Sequence, residues 1–230
     1  MKKILLSLSL LLTLISTQTF AKGDPKEDFQ IWVPVNLNVK LSDNWRGFLE
    51  VQPRIGNNAQ DLNVAIVRPA IGYAFNSNWT VWAGYLMQAT RNSSNDYNIE
   101  NRSWQGLTFK DKYDSNIVEV RNRLEQRFLP HNHDISYRWR TRVRIEHLFD
   151  QSPWSLIASE EIFVNLNNNE VNKNLQDGLN QNRAYVGVGY RFNPNFQVET
   201  GYLNNYVFNS SPTTLDQNNN VWMTNLNLNF

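Results

Sequence analysis

Two stretches of the sequence decide the fold: Glu119-Val-Arg-Asn-Arg-Leu-Glu-Gln-Arg127 and Arg138-Trp-Arg-Thr-Arg-Val-Arg-Ile-Glu146. In both, a charged side chain occupies every second position. Alternate residues of a β-strand point to the same face of a sheet, so each stretch predicts a strand with one charged face. A turn around residues 130–133 would join the two strands in a hairpin and place the two charged faces side by side.

The same alternation continues over nearly the whole chain after Asp28, and no convincing stretch has the helical period. From Phe29 to Leu41, for example, apolar residues hold one phase, while polar residues such as Asn36 and Asn38 hold the other. The mature chain is therefore predicted to be all-β. Further strands are predicted at residues 46–55, 62–75, 79–90, 99–110, 117–128, 135–148, 154–166, 182–192, 196–208 and 220–230.

The number of strands follows from a general rule about bacterial barrels. The pattern gives eleven candidates, whereas single-chain outer-membrane barrels normally have an even number. We predict a monomeric, antiparallel, up-and-down transmembrane barrel of twelve strands, with ten as the alternative, and segment 99–110 has the weakest pattern. Pro34, Pro53 and Pro69 fall inside proposed strands, where each removes a ladder donor, so bulges or strand ends are expected there.

A repeat supports the hairpin interpretation, because Gly72 to Tyr85 and Gly189 to Tyr202 match at eight of fourteen positions. Each copy reads as strand, tight turn and strand. The connections at 56–61, 92–98, 167–180 and 209–219 are longer, and short turns on one rim with long loops on the other are typical of an outer-membrane barrel. Aromatic residues flank four short turns and predict one interfacial girdle: Trp45, Phe75, Trp79, Phe149, Trp154, Phe192 and Phe196.

The start of the chain indicates export. Lys2 and Lys3 precede an apolar run over residues 4–15 and a stretch that ends in Ala21, which is the order of a secretory signal peptide. The apolar run is shorter than the ~20 residues that a spanning helix needs. We therefore divide the chain into a signal peptide, residues 1–21, and an outer-membrane barrel, residues 22–230.

The end of the chain indicates assembly in the outer membrane. Apolar or aromatic residues alternate from Trp222 up to the terminal Phe230. A last strand of this kind resembles the signal by which outer-membrane barrels are recognised for assembly. We therefore expect the barrel-assembly machinery, acting through the strand that ends at Phe230, and outer-membrane lipid as partners.

The placement of charges separates a membrane barrel from a secreted β-sandwich, which also alternates. All eleven aspartates fall in the tail, turns or loops, whereas thirteen of fourteen arginines fall in proposed strands. A polar strand face of Arg and Glu suits a lumen, where the charges can bond to each other and to water. Without Lys2 and Lys3 the 22 basic residues become 20, against 21 acidic ones, so the net charge gives no argument for nucleic acid.

Six segments, in this order along the chain, resemble the outer-membrane barrel family catalogued as domain of unknown function 2490. They are Glu100-Asn-Arg-Ser-Trp-Gln105, Arg121-Asn-Arg-Leu-Glu-Gln-Arg127, Arg138-Trp-Arg-Thr-Arg142, Glu161-Ile-Phe163, Asn182-Arg183 and Gly187-Val-Gly-Tyr190. The resemblance spans nearly all of the mature chain. It implies a barrel in the outer membrane and carries no established activity, so it leaves the function open.

Catalytic and metal-binding groups are scarce in this sequence. It has no cysteine, which excludes disulfides, thiolate metal sites and a cysteine nucleophile. His131 and His133 with Asp134 could hold a divalent ion, but two histidines in a polar loop are commonly just solvated, so we predict no metal and no cofactor. Outer-membrane phospholipases use a histidine on the lipid-facing side, and His147 lies on the apolar phase, so a lipid hydrolase is a less favoured alternative. Because no set of residues forms a recognisable catalytic site, we predict that the protein is not an enzyme.

The charged strand faces supply the functional hypothesis. The predicted inward set comprises thirteen arginines (46, 54, 68, 102, 121, 123, 127, 138, 140, 142, 144, 183 and 191) and seven glutamates (50, 100, 119, 125, 146, 161 and 199). The arginine excess predicts an interior that attracts anions, hence a narrow pore for small anionic solutes. The alternative is a plugged structural or ligand-binding barrel whose charges merely knit the interior. The residues expected to contact solute are Arg121, Arg123, Glu125, Arg127, Arg138, Arg140, Arg142, Arg144, Glu146 and Arg183.

Overall fold

The computed structural model describes residues 23–130, 134–168, 177–209 and 214–230. The predicted signal peptide, residues 1–21, lies outside them. These residues form a sheet of twelve strands: β1 (Lys26–Trp32), β2 (Val35–Lys40), β3 (Trp45–Gly56), β4 (Asp61–Ala74), β5 (Trp79–Arg91), β6 (Tyr97–Tyr113), β7 (Asn116–Phe128), β8 (Ile135–Leu148), β9 (Trp154–Asn165), β10 (Gly178–Asn193), β11 (Phe196–Val207) and β12 (Gln217–Asn229). Over the same described ranges, no helix is long and apolar enough to cross a membrane.

The sheet closes on itself into a barrel. From β2 to β12 each strand pairs with the next in antiparallel register, and β12 then pairs with β2. The short strand β1 pairs with the same two neighbours as β2, namely β12 on one side and β3 on the other. The ring therefore has eleven strand positions, and β1 and β2 lie end to end at one of them.

The prediction of twelve strands in the barrel, with ten as the alternative, is wrong. Strand direction alternates along the meander, so the eleventh strand of the ring runs in the same direction as the first and closes on it in parallel. In this closure Trp222 is opposite Ile31 and Leu228 is opposite Leu37. The weakly patterned segment 99–110 belongs to β6, which with 17 residues is longer than any other strand described.

The three strand prolines lie where the ladder is interrupted. Pro34 separates β1 from β2, and Pro53 lies in β3 opposite that break, between the pairs that β3 makes with β1 and with β2. Pro69 falls where the pairing of β4 with β5 is interrupted, between Val67 and Ala70. A proline has no backbone N–H to donate. Because each proline lies at an interruption of the ladder, its missing donor costs the sheet no hydrogen bond.

The two rims of the barrel differ in the length of their connections, as predicted. One, here called the short-turn rim, has turns of two to five residues, and the other, the long-loop rim, has connections of four to twelve. Aromatic rings contact one another around the short-turn rim. The pairs include Trp45 with Tyr73, Trp79 with Phe109 and Trp154 with Tyr190, at centroid distances of 5.2, 5.0 and 4.8 Å.

The outer wall is mainly apolar, because the hydrophobic phase of each strand faces outward. Exposed side chains such as Leu49, Ile71 and Val186 belong to this phase. Outward polar residues also occur on β6 to β12, where they hydrogen-bond across neighbouring strands; Thr141 donates to Asn122 at 2.8 Å, for example. The wall formed by β2 to β5 is apolar over its middle.

The interior is not wholly polar, which the sequence analysis did not anticipate. One apolar cluster contains Trp32, Ile157, Tyr185, Leu203 and Val221, and a second contains Ile66, Leu86 and Trp104. In the second cluster the Trp104 ring lies directly over Gly84, where an added Cβ would overlap it. The glycine thus allows a large inward ring to pack against the wall.

Candidate functional site

The interior of the barrel carries the charged ladder that the sequence predicts. β7 and β8 pair in antiparallel register, with Arg123 opposite Arg140 and Glu125 opposite Arg138. All ten predicted site residues lie on the interior side of the wall, where they are buried or line a cavity: Arg121, Arg123, Glu125, Arg127, Arg138, Arg140, Arg142, Arg144, Glu146 and Arg183.

Glu125 is the centre of the largest ion-pair network. Its exposed fraction is 0%, and it accepts hydrogen bonds from Arg138, at 2.6 and 3.1 Å, and from Arg140, at 2.6 Å. Arg140 also donates to Glu161 at 2.9 Å, and Arg121 donates to the same carboxylate at 2.9 Å. Such charge-assisted bonds are strong, and here they tie β7, β8 and β9 together.

Every glutamate of the predicted inward set forms an ion pair with an arginine. Glu100 accepts two bonds from Arg102, at 2.7 and 3.0 Å, and two from Arg127, at 2.6 and 3.1 Å. The remaining pairs are Glu50 with Arg68, Glu119 with Arg142, and both Glu146 and Glu199 with Arg144. The interior carboxylates are thus fully engaged, while arginines remain in excess.

Aromatic rings contact the arginines that lack a close carboxylate. The guanidinium carbon of Arg54 lies 3.7 Å from the centre of the Trp32 ring, and that of Arg123 lies 3.9 Å from the centre of the Trp104 ring. For Arg123 the nearest carboxylate oxygen in an ion pair, on Glu125, is 3.8 Å away. A cation over a ring face is stabilised by the ring quadrupole, which partly replaces a counter-charge.

Two cavities occupy the interior. The one toward the short-turn rim, here called the short-turn cavity, has a volume of about 760 Å³, and the one toward the long-loop rim, the long-loop cavity, has about 350 Å³. Six residues, here called the central belt, line both of them: Trp32, Glu50, Gln52, Arg68, Arg140 and Arg183. The belt therefore lies where the two cavities adjoin, and the cavities are called chambers below.

The two chambers have different linings. The long-loop cavity is lined by seven arginines (54, 68, 102, 127, 138, 140 and 183) and one glutamate, Glu50. The short-turn cavity is lined by seven arginines (68, 121, 140, 142, 144, 183 and 191), Lys110 and five glutamates (50, 119, 146, 161 and 199). Both chambers present an excess of positive charge, and the excess is larger in the smaller chamber.

Sequence reasoning missed three rings and the rim contacts of one arginine. Arg46 has the inward strand phase of Glu50, and its guanidinium donates to backbone oxygens of the turn at the short-turn rim, at 2.8 to 3.1 Å. The inward rings Trp32, Trp104 and Phe163 contact arginines and were not proposed as site residues. A signal for them exists, because each lies on the same strand phase as the neighbouring charges.

One of the three histidines lies within the described residues. His131 and His133 lie outside the described residues. His147 contacts Asn116, with Nδ1 3.0 Å from the amide oxygen, and lies edge-on to Phe149 on the outer wall. Within the described ranges, no group of three or more His, Asp or Glu side chains could hold a metal ion.

Two comparisons relate this architecture to other proteins. An uncharacterized protein of Methylorubrum extorquens is 32% identical over 196 residues, which cover 84% of this chain and 85% of that protein. The structure of a NanC porin is similar to this barrel with a TM-score of 0.51 and 11% sequence identity, and the match covers 83% of this chain and 94% of the porin chain. At that identity the likeness concerns the fold alone.

The model of one protein family matches most of the barrel. It extends over residues 29–216, from β1 to the connection that precedes β12. That match, together with the relative above, agrees with the resemblance of the six sequence segments. The chain belongs to the family described as protein of unknown function DUF2490.

Proposed function

We propose that the protein is an outer-membrane barrel whose interior forms a narrow pore that prefers anions. The observation that carries this proposal is the arginine excess of both interior chambers, where every described glutamate of the lining is already paired with an arginine. A lining with uncompensated positive charge lowers the electrostatic barrier for anions and raises it for cations.

The outer surface supports a location in a membrane. A closed barrel satisfies its backbone hydrogen bonds internally, which hydrocarbon requires. The exposed apolar side chains of the wall would face lipid, and the aromatic ring contacts at the short-turn rim would lie at the membrane interface. Residues 1–21 would direct export, and they are removed on the way.

The last strand supports assembly by the machinery that inserts outer-membrane barrels. Trp222 and Phe230 lie on its exposed face. The terminal residue is tied into the closure of the ring, because the Phe230 amide donates to the carbonyl of Asn38 at 2.8 Å and its own carbonyl accepts from the Lys40 amide at 2.6 Å. We expect deletion of Phe230 to impair both recognition and closure.

Planar-bilayer recording of the refolded protein under a salt gradient tests the pore. We expect stable conductance steps with a reversal potential that favours anions. Arg140→Ala, in the central belt, and Arg142→Ala, in the short-turn cavity, should both weaken that preference. A protein that folds, as judged by a heat-dependent shift in gel mobility, yet never conducts would contradict the proposal.

A plugged barrel is the second candidate, and one observation favours it. Arg140 of the central belt is bonded to both Glu125 and Glu161, and the Phe163 ring lies 4.4 Å from its guanidinium carbon. These contacts hold the belt side chains in place between the two chambers. A silent bilayer with correctly folded protein would support this candidate.

A further inference from the structure

We infer that the long-loop cavity contains a binding site for one oxyanion, formed by Arg54 and Arg183 around the ring of Trp32. The ligand class is a small solute that carries a carboxylate or phosphate group. This inference deepens the proposed function and rests on it, since the site lies within the proposed pore.

These two arginines differ from the other arginines of the long-loop cavity. Arg68 has Glu50 as its partner, Arg102 and Arg127 share Glu100, and Arg138 and Arg140 share Glu125. Each of these five guanidinium groups therefore has a carboxylate within a normal ion-pair distance. An added anion would have to compete with a carboxylate already in place.

Arg54 has no such partner within 4 Å among the described residues. Its guanidinium donates to the amide oxygen of Gln52 at 3.0 Å and stacks 3.7 Å from the centre of the Trp32 ring. Its buried Nε has no hydrogen-bond partner. The contacts of this side chain are neutral groups, so its positive charge faces the cavity without a counter-charge of its own.

Arg183 also lacks a close carboxylate partner of its own. It donates from Nε to the amide oxygen of Asn205 at 3.0 Å. The closest carboxylate oxygen, on Glu161, is 3.9 Å away, and that carboxylate already binds Arg121 and Arg140. Its guanidinium carbon is 5.0 Å from the centre of the Trp32 ring.

One ring thus contacts both arginines that lack a carboxylate of their own. Trp32 is held in place because its Nε1 donates to Gln30 at 2.8 Å, and Gln30 in turn donates to Asn219 at 3.1 Å. Guanidinium groups bind carboxylate and phosphate through paired hydrogen bonds. Since a buried positive charge without a partner is costly, an oxyanion from solution would stabilise the arrangement.

The cavity limits the size of the solute. Its volume of about 350 Å³ is near the lower end of the range for small-molecule sites. Its lining includes buried amide side chains, among them Gln52, Gln181 and Asn205, which can bond to hydroxyl groups. A small polar molecule with one oxyanion therefore matches the lining, whereas a large or apolar molecule does not.

Calorimetric titration of the folded protein in detergent tests the site. The probes are inorganic phosphate and lactate, with glycerol as a neutral probe of similar size. We expect saturable binding of phosphate or lactate and none of glycerol. Arg54→Gln and Arg183→Gln should each weaken that binding by about tenfold or more, as expected for the loss of a charged hydrogen-bond donor.

Lys40→Gln is the matched control, because it removes the same charge from an exposed pair with Asp43 outside both cavities. Its binding should equal that of the unchanged protein. Arg54→Lys keeps the charge but loses the planar fork, so it should fold normally and still bind more weakly. The relative affinities of the two anions indicate which oxyanion the site prefers.

The inference and the proposed function fail separately. No saturable binding of either anion, or binding that is unchanged in both glutamine variants, would overturn the site even if the bilayer shows an anion-preferring pore. Saturable binding that both glutamine variants weaken, in a protein that never conducts, would support the site and overturn the pore.

Discussion

The two chambers inside the barrel balance their arginines in different ways. In the short-turn cavity, arginines and glutamates both belong to the lining, and both partners of an ion pair such as Arg144 with Glu199 line the cavity. In the long-loop cavity the arginines line the space, while Glu100 and Glu125 bind them from behind, with side chains 10% and 1% exposed. Both carboxylates are absent from the lining.

An Arg–Glu ion pair can stabilise the barrel wall, and it can also set the charge that the cavity presents. Where both partners line the cavity, a solute in the proposed pore would meet charges of both signs, with a smaller positive excess. Where the carboxylate lies behind the guanidinium, the pair still stabilises the wall, but the solute meets mainly the positive partner. We therefore expect the long-loop cavity to dominate selectivity, and the buried glutamates to dominate stability.

The largest effect is expected at Glu125. Glu125→Gln removes the carboxylate that binds Arg138 and Arg140, which leaves buried positive charge unpaired. We expect the free energy of unfolding to fall by about 3 to 5 kcal/mol, measured by urea titration in detergent. Glu119→Gln is the matched change in the more exposed short-turn cavity and should cost less; equal losses would contradict the distinction.

The next effect concerns selectivity. Arg54→Glu, in the long-loop cavity, should abolish the anion preference in a bilayer. Arg191→Glu makes the same charge change in the short-turn cavity, at an exposed position where water screens it, and should reduce the preference only partly. If Arg191→Glu has the larger effect on the reversal potential, the assignment of selectivity to the long-loop cavity is wrong.

A smaller effect on stability is expected when an interior arginine is replaced by methionine, and its direction should differ between Arg123 and Arg144. Arg123 is buried against Trp104 and has no hydrogen bond to a carboxylate, so Arg123→Met should leave stability unchanged or raise it by about 1 kcal/mol. Arg144→Met should lower stability, because it leaves Glu146 and Glu199 without their partner. Thermal unfolding of both variants measures the difference.

The smallest effect is expected outside both chambers. Lys40→Gln breaks an ion pair with Asp43 whose two side chains are 58% and 97% exposed. Exposed pairs contribute little to stability, so neither the unfolding midpoint nor the conductance should change measurably. A clear change in conductance would mean that the short-turn rim takes part in conduction, and a clear shift in the unfolding midpoint would mean that this exposed pair stabilises the fold.

The phase of each strand could be predicted from the sequence, because a barrel wall sorts residues strictly by side. The charged rows of β7 and β8 face inward and lie opposite each other, as the alternation predicts. The short turns with their aromatic rings were predicted for the same reason. In each case a local pattern of period two determines the outcome.

The strand count could not be predicted, because it depends on how the two ends of the chain meet. The even-number rule assumes antiparallel closure, whereas here β12 returns parallel to β2, beside the break at Pro34. No local pattern encodes that choice. The eleven segments with alternating residues match the eleven strand positions of the ring. The rule that such barrels have an even number of strands changed the prediction to twelve or ten.

The rings inside the charged interior were missed for a different reason. Aromatic residues were assigned to the outer wall because most of them follow the apolar phase. Trp32 and Trp104 lie on the inward phase, where they contact Arg54 and Arg123 in place of carboxylates. Which arginine meets a ring and which meets a glutamate depends on distances across the lumen, which the sequence does not contain.

The most direct test of the anion-preferring pore is the reversal potential of the unchanged protein in a planar bilayer under a KCl gradient. We predict stable conductance steps with a reversal potential shifted from zero toward the equilibrium potential of chloride, since arginines outnumber glutamates in the lining of both cavities. A reversal potential on the potassium side, or folded protein that never conducts, would contradict it.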